Sequence, residues 1–190
     1  MESRNIMIVG VGGQGTLLAS KLLGRILLEN GYDVKVSEVH GMSQRGGSVV
    51  TYVRYGEKVY SPIIDKGEAD IIISFELLEA ARWVEYLKEG GILLTNTQRI
   101  NPMPVITGAA EYPKSLEQKL ATLPIRLDAM DALGLALQAG SAKAVNLVLL
   151  GRLSKYFHFT DMQWQDAICR SVHAKFLELN QKAFALGAEA

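Results

Sequence analysis

Ten residues near the start of the chain, Met7-Ile-Val-Gly-Val-Gly-Gly-Gln-Gly-Thr16, carry the first pattern with chemical meaning. Gly10, Gly12 and Gly15 satisfy G-x-G-x-x-G, with Gly13 and Gln14 inside it. At that spacing one glycine makes a tight turn, one lets a ligand approach the backbone and one packs a helix on a strand. The turn offers backbone N–H groups at a helix N-terminus, where orphan donors and the helix dipole together favour a phosphate or a carboxylate. The other reading is that the glycines only seat the helix. Thr16 stands where a nucleotide-hydrolysing P-loop needs lysine, so that chemistry is not expected.

A second cluster follows at His40, Gly41, Met42, Ser43, Gln44, Arg45, Gly46 and Gly47. It combines an imidazole, a hydroxyl, an amide and a guanidinium with glycines that let backbone come close, a composition suited to a ligand or subunit contact. His40 is either an acid–base group near neutral pH or a plain hydrogen-bonding residue. Arg45 either takes an anion through its planar fork or pairs with Glu38, Glu76 or Glu79. Glu38 lies about 20 positions past the glycines, where a dinucleotide-binding domain would hold a ribose. A solvated carboxylate at a strand end is the alternative.

The elements that must position these groups follow from periodicity. Apolar residues from Ile6 to Val9 predict a buried parallel strand, and Leu17, Leu18, Leu22, Ile26 and Leu27 a helix stopped by Asn30-Gly31. Residues 34–39 and 48–55 read as strands, and Gly56-Glu57 as a hairpin turn returning antiparallel over 58–61. Residues 70–75 predict another buried strand. It leads to a helix, capped near Ser74 and Glu76, with an apolar face through Leu87 and a stop at Glu89-Gly-Gly91. Residues 92–95 and 124–128 complete the strands, an irregular stretch spans 101–113, and a short helix spans 115–123. Beyond Ala129 the pattern is helical, with an apolar segment at 144–150, a cap at Thr160 and one final amphipathic helix carrying Ile168, Val172, Phe176, Leu177 and Ala183.

Bulk properties narrow the function. Twenty basic and twenty acidic side chains cancel, leaving no basic field for nucleic acid. Apolar residues make up 48% of the chain, yet no run nears the ~18 needed to cross a membrane, and the first residues lack the pattern of a secretory signal. A cytoplasmic protein is expected. The single cysteine, Cys169, excludes an internal disulfide and a four-thiolate cluster within this chain, and its helical spacing predicts a small buried hydrophobe. His158 and His173 have no ligand partners at metal spacing, so no metal site is predicted. No G-x-S-x-G anchors a hydrolase triad.

The segments Gly10-Val-Gly-Gly-Gln-Gly15 and Glu38-Val-His-Gly-Met-Ser-Gln-Arg-Gly-Gly-Ser48, with Ser61-Pro62 and Asp70-Ile-Ile-Ile-Ser-Phe-Glu76, closely resemble the beta subunits of indolepyruvate:ferredoxin oxidoreductases. More broadly the chain is similar to the gamma subunits or domains of pyruvate and 2-oxoacid:ferredoxin oxidoreductases. The resemblance spans essentially the whole chain. It implies a subunit of an enzyme that oxidatively decarboxylates a 2-oxoacid, joins the acyl group to coenzyme A and passes electrons to ferredoxin. It also implies that a larger partner subunit carries thiamine diphosphate, magnesium and the iron–sulfur clusters. This chain would hold none of these alone and would be inactive in isolation, where it could form a homodimer.

These readings combine into a three-layer α/β domain with a Rossmann-like, mostly parallel sheet, an antiparallel hairpin excursion and a helical C-terminal extension. Residues 1–190 form one domain, with an α/β core over 1–128 and the extension over 129–190. The two loops are expected to converge at the carboxyl ends of the first two strands, facing the partner's active site or a phosphate-bearing ligand such as coenzyme A. Two rivals stand beside this: an autonomous NAD- or FAD-binding oxidoreductase, and a non-enzymatic interaction module that keeps the fold.

Overall fold

Seven buried residues follow Arg4 in β1 (Arg4–Val11), an interior strand of a computed structural model that describes residues 3–40 and 46–190. A strand buried on both faces needs a layer of structure on each side. Because side chains alternate along a strand, Ile6 and Ile8 point to one layer and Met7 and Val9 to the other. The first layer contains α1 (Thr16–Glu29), α5 (Ala132–Ala139), α6 (Val145–Ser154), α7 (Asp161–Ser171) and α8 (Leu177–Glu189). The opposite layer is thinner, with α2 (Leu77–Trp83) and α4 (Leu116–Ala121). The C-terminal helices therefore share one core with β1: Leu147, Trp164 and Phe184 pack in the same cluster as Ile6 and Ile8.

The sheet adds β2 (Asp33–His40), β3 (Ser48–Gly56), β4 (Ala69–Ser74), β5 (Leu87–Asn96) and β6 (Arg126–Met130), in the order β2-β3-β1-β4-β5-β6. Strands β1, β4, β5 and β6 pair in parallel, so the sheet is mostly parallel as expected. The exception is β3, which runs antiparallel to both β1 and β2. The antiparallel excursion is thus β3 itself, and residues 41–47 connect the hairpin.

The expected return strand at 58–61 does not form. Its Val59 N–H donates to Asp33 Oδ2 at 3.0 Å instead of entering a ladder. Asp33 also accepts from Lys35 Nζ at 2.7 Å and pairs with Lys58 at 3.7 Å. These contacts, the Lys35 hydrogen bond foremost, hold the Asp33 carboxyl down at about 2.

Three further boundaries differ from expectation. Helix α2 stops at Trp83, a 3-10 turn covers Val84–Tyr86, and Leu87 already opens β5. Ala69 pairs with Leu87 but Ile71 with Ile92, so Glu89-Gly-Gly91 lies in a β-bulge, where Gly90 takes φ +72°. The final helix is two: Val172 is extended after α7, a 3-10 turn spans Ala174–Phe176, and α8 follows. Cys169 is exposed, not buried. The inward face of α7 is Trp164, Ala167 and Ile168, and one residue further rotates about 100° off it. The short α3 (Met103–Ile106) interrupts the irregular stretch.

Candidate functional site

The glycine turn is assembled from three strands. A Cβ on Gly10 would lie 2.9 Å from the Cβ of Phe75, so this glycine lets β1 touch the end of β4. Gly15 is the N-cap of α1 at φ +89°, in the left-handed region, and a Cβ there would meet Asn146 Nδ2 at 2.8 Å. Gln14 folds back over the turn: its Oε1 accepts from the Val11 amide at 2.8 Å and its Nε2 donates to the Phe75 carbonyl at 3.0 Å. Fully buried Asn96 donates to the same carbonyl at 3.1 Å, and its Oδ1 accepts from the Ala132 amide at 3.2 Å. The turn is held in shape by the protein's own polar groups. The Gly13 and Gly15 amides take no partner among the described residues and stand at the positive end of α1.

The described end of the second loop, Gly46 and Gly47, meets the first through backbone. The Gly12 N–H donates to the Gly47 carbonyl at 2.8 Å, and the Gly46 N–H donates to the Gly12 carbonyl at 3.2 Å. In a dinucleotide-binding turn the middle glycine faces the pyrophosphate. Here its amide is already bonded. Of the remaining loop residues, Gly41, Met42, Ser43, Gln44 and Arg45 lie outside the described residues.

Two buried carboxylates anchor the surroundings. Glu76 is 1% exposed and caps α2, accepting from the Glu79 amide at 2.8 Å, the Ile100 amide at 3.0 Å and the Tyr112 hydroxyl at 2.6 Å. Burial, then the hydrogen bond to Glu76, pushes the Tyr112 phenol well above its ordinary range. Glu79 accepts from Ser48 Oγ at 2.5 Å and from Arg82 at 3.3 Å. Ser48, directly after Gly47, is thereby fixed to α2.

Glu38 sits on β2, and β3 lies between it and β1. It is two strand spacings from β1, about 10 Å, where a dinucleotide domain would allow one. Its carboxylate accepts from Thr51 at 3.4 Å. His40 is exposed at the end of the same strand.

Two hollows flank the turn. One, of about 460 Å³, is lined by Gly12, Gly13, Thr16, Glu38, His40 and Val49. The other, of about 390 Å³, meets Gly13, Gly15, Gln98, Ile100, Leu133 and Lys143. Electrostatically they differ: a carboxylate borders the first and an exposed ammonium the second, so an anion at the turn is better served on the Lys143 side. Gln98 and Lys143 were missed from sequence. The polar run Asn96-Thr97-Gln98 at the carboxyl end of a parallel strand is the signal that would have found Gln98. Lys143 has none, standing alone before an apolar helix. Among the described residues no group of three or more His, Cys, Asp or Glu side chains could hold a metal ion.

The strand order reverses beside β1, and the turn lies in the crevice at that switch point, bonded there to Gly46 and Gly47. Fold and site thus define a doubly wound α/β domain whose switch-point crevice is partly occupied by its own Gly46–Gly47 backbone. The chain belongs to the pyruvate ferredoxin/flavodoxin oxidoreductase family, whose model matches residues 5–190. It is 46% identical to indolepyruvate oxidoreductase subunit IorB of Thermococcus kodakarensis, over 100% of this chain and 96% of that protein. The protein of the same name from Archaeoglobus fulgidus is 38% identical, over 96% of this chain and 92% of its own length. Among solved structures, pyruvate oxidoreductase subunit PORC of Thermotoga maritima matches with a TM-score of 0.77 at 22% identity, over 100% of this chain and 97% of that one, a likeness of fold.

Proposed function

We propose that this chain is the subunit of an indolepyruvate-type 2-oxoacid:ferredoxin oxidoreductase that carries neither thiamine diphosphate nor iron–sulfur clusters. The observation that carries the reading is its 46% identity, along its whole length, with an indolepyruvate oxidoreductase subunit. Thiamine diphosphate with its magnesium and the clusters belong to a larger partner subunit, and ferredoxin is reached through the complex.

The site's geometry suits positioning rather than chemistry. The clasp between Gly12 and Gly46–Gly47 ties the end of the second loop to the glycine turn. The open Gly13 and Gly15 amides, with Lys143 beside them, fit a phosphate group of coenzyme A. That cofactor supplies the thiol that accepts the acyl group, while this chain binds, orients and excludes water. The autonomous dinucleotide reading is disfavoured by the occupied Gly12 amide and by β3 standing between Glu38 and β1.

Co-expression with the larger subunit tests the proposal. The pair is expected to reduce ferredoxin in a manner dependent on both indolepyruvate and coenzyme A, and each subunit alone to be inactive. Full activity of the larger subunit by itself, or micromolar NAD or FAD binding with hydride transfer by this chain, would overturn it. Light scattering of the isolated chain reports whether it forms a homodimer.

A further inference from the structure

The eight residues of β1, at about 3.3 Å each, put its amino end roughly 25 Å from the glycine turn. At that far end Tyr32, Tyr55, Phe157 and Phe159 line a hollow of about 480 Å³, a size suited to a small organic ligand. The rings brace one another: Tyr32 meets Tyr55 edge-on at 5.2 Å, and Phe157 stacks on Phe159 at 5.3 Å. Arg4, paired with Tyr55 across the β1–β3 ladder, and His158 also line it, and both are exposed. No carboxylate belongs to its lining, and Arg4 makes no ion pair among the described residues.

Tyr55 is the telling residue. It is 7% exposed, yet its hydroxyl takes no hydrogen-bond partner among the described residues. The sealed polar atoms without partners there are Trp164 Nε1 and Ser171 Oγ. The Tyr55 hydroxyl is not among them, so it keeps an opening, and the hollow is what it lines. Burial raises this phenol to about 12, so at neutral pH it is a donor.

We propose that this hollow binds a small aromatic carboxylic acid, its ring against the tyrosine and phenylalanine faces and its carboxylate on Arg4 and the Tyr55 hydroxyl. Aromatic faces alone would also attract a cation. Here the flanking Arg4 repels one, and its charge acts on Tyr55 more strongly than that of Asp70, the carboxylate nearby. A bare inorganic anion would use Arg4 and leave the rings without a role. The site is separate from the glycine turn, and its test needs only the single chain, so it stands independently of the assembly proposed above.

Calorimetric titration of the full chain with phenylacetate and indole-3-acetate tests it, with cyclohexylacetate, tetramethylammonium and inorganic phosphate as contrasts. Saturable binding of the two aryl acids at one site is expected. Losing one charge-assisted hydrogen bond in Arg4→Met should weaken it about tenfold or more, with partial retention in Arg4→Lys. Tyr55→Phe, which keeps the ring, should weaken it several-fold, and Gly13→Ala, far off at the glycine turn, should leave the aryl-acid affinity of the folded chain as it is. Ligand-induced shifts of the Tyr32 and Phe159 ring protons in the unsubstituted chain give a readout that does not depend on any variant folding. Absence of saturable binding, affinity unmoved by Arg4→Met, or equal affinity for cyclohexylacetate, tetramethylammonium or phosphate would overturn the proposal.

Discussion

Gly15 and Gly13 share a left-handed backbone but differ in what surrounds them. A side chain at Gly15 meets both the unfavourable φ and the Asn146 amide, whereas Gly13 faces open space. Gly15→Ala should therefore cost about 1–3 kcal/mol from strain, with crowding added, and Gly13→Ala the strain alone. Urea unfolding of the two variants measures the difference, and equal losses would refute the role assigned to Asn146. Asp33 offers a pH test. Its folded carboxyl titrates near 2 against an ordinary 3.8, so its stabilising contribution is complete above 3.8 and disappears as pH falls through 2. Carbon-detected titration should show that low midpoint, and Lys35→Met should move it upward, because the Lys35 hydrogen bond is the largest cause.

Helices α6 and α8 approach closely enough that a Cβ on Gly187 would lie 1.9 Å from the Val148 carbonyl oxygen, and one on Gly151 2.0 Å from the Phe184 carbonyl oxygen. Backbone cannot yield as a flexible side chain can, so Gly187→Ala should force the pair apart and cost about 3 kcal/mol or more. A denaturant midpoint equal to that of the unsubstituted chain would contradict this contact. That intimacy was invisible in sequence, where both glycines sit in ordinary helical runs. What periodicity did show was each strand around the first loop, because β-branched runs such as Ile6 to Val9 are buried on both faces and leave a continuous signal. It failed where one polar contact outweighed local propensity. Val59 turned to Asp33 instead of a ladder, and a bulge at Gly90 turned an apparent helix stop into strand. The glycine turn and its partner loop were readable as motifs, being short-range patterns. Gln98 and Lys143 join the glycine turn from 80 and more positions away, and only the fold brings those segments together.

At the scale of the molecule, the helices after β6 cover the same sheet face as α1, with Leu147, Trp164 and Phe184 against Ile6 and Ile8. We expect a single calorimetric unfolding transition for the whole chain, and no cooperative transition for a fragment ending at residue 128, which would leave that face bare. Two separate transitions would mean that the helical part folds by itself. Among the described residues no helix is long and apolar enough to cross a membrane. The clasp at Gly12 carries one more consequence. Its N–H lies in a turn at the molecular surface, where amides ordinarily exchange with solvent within moments, yet it is bonded to Gly47 across the hairpin connection. Its deuterium uptake should follow the opening of the hairpin, lagging well behind that of the neighbouring Gly13 amide. Because the two bonds share Gly12, breaking the clasp would release the Gly12 and Gly46 amides together, so these two protons should exchange in step.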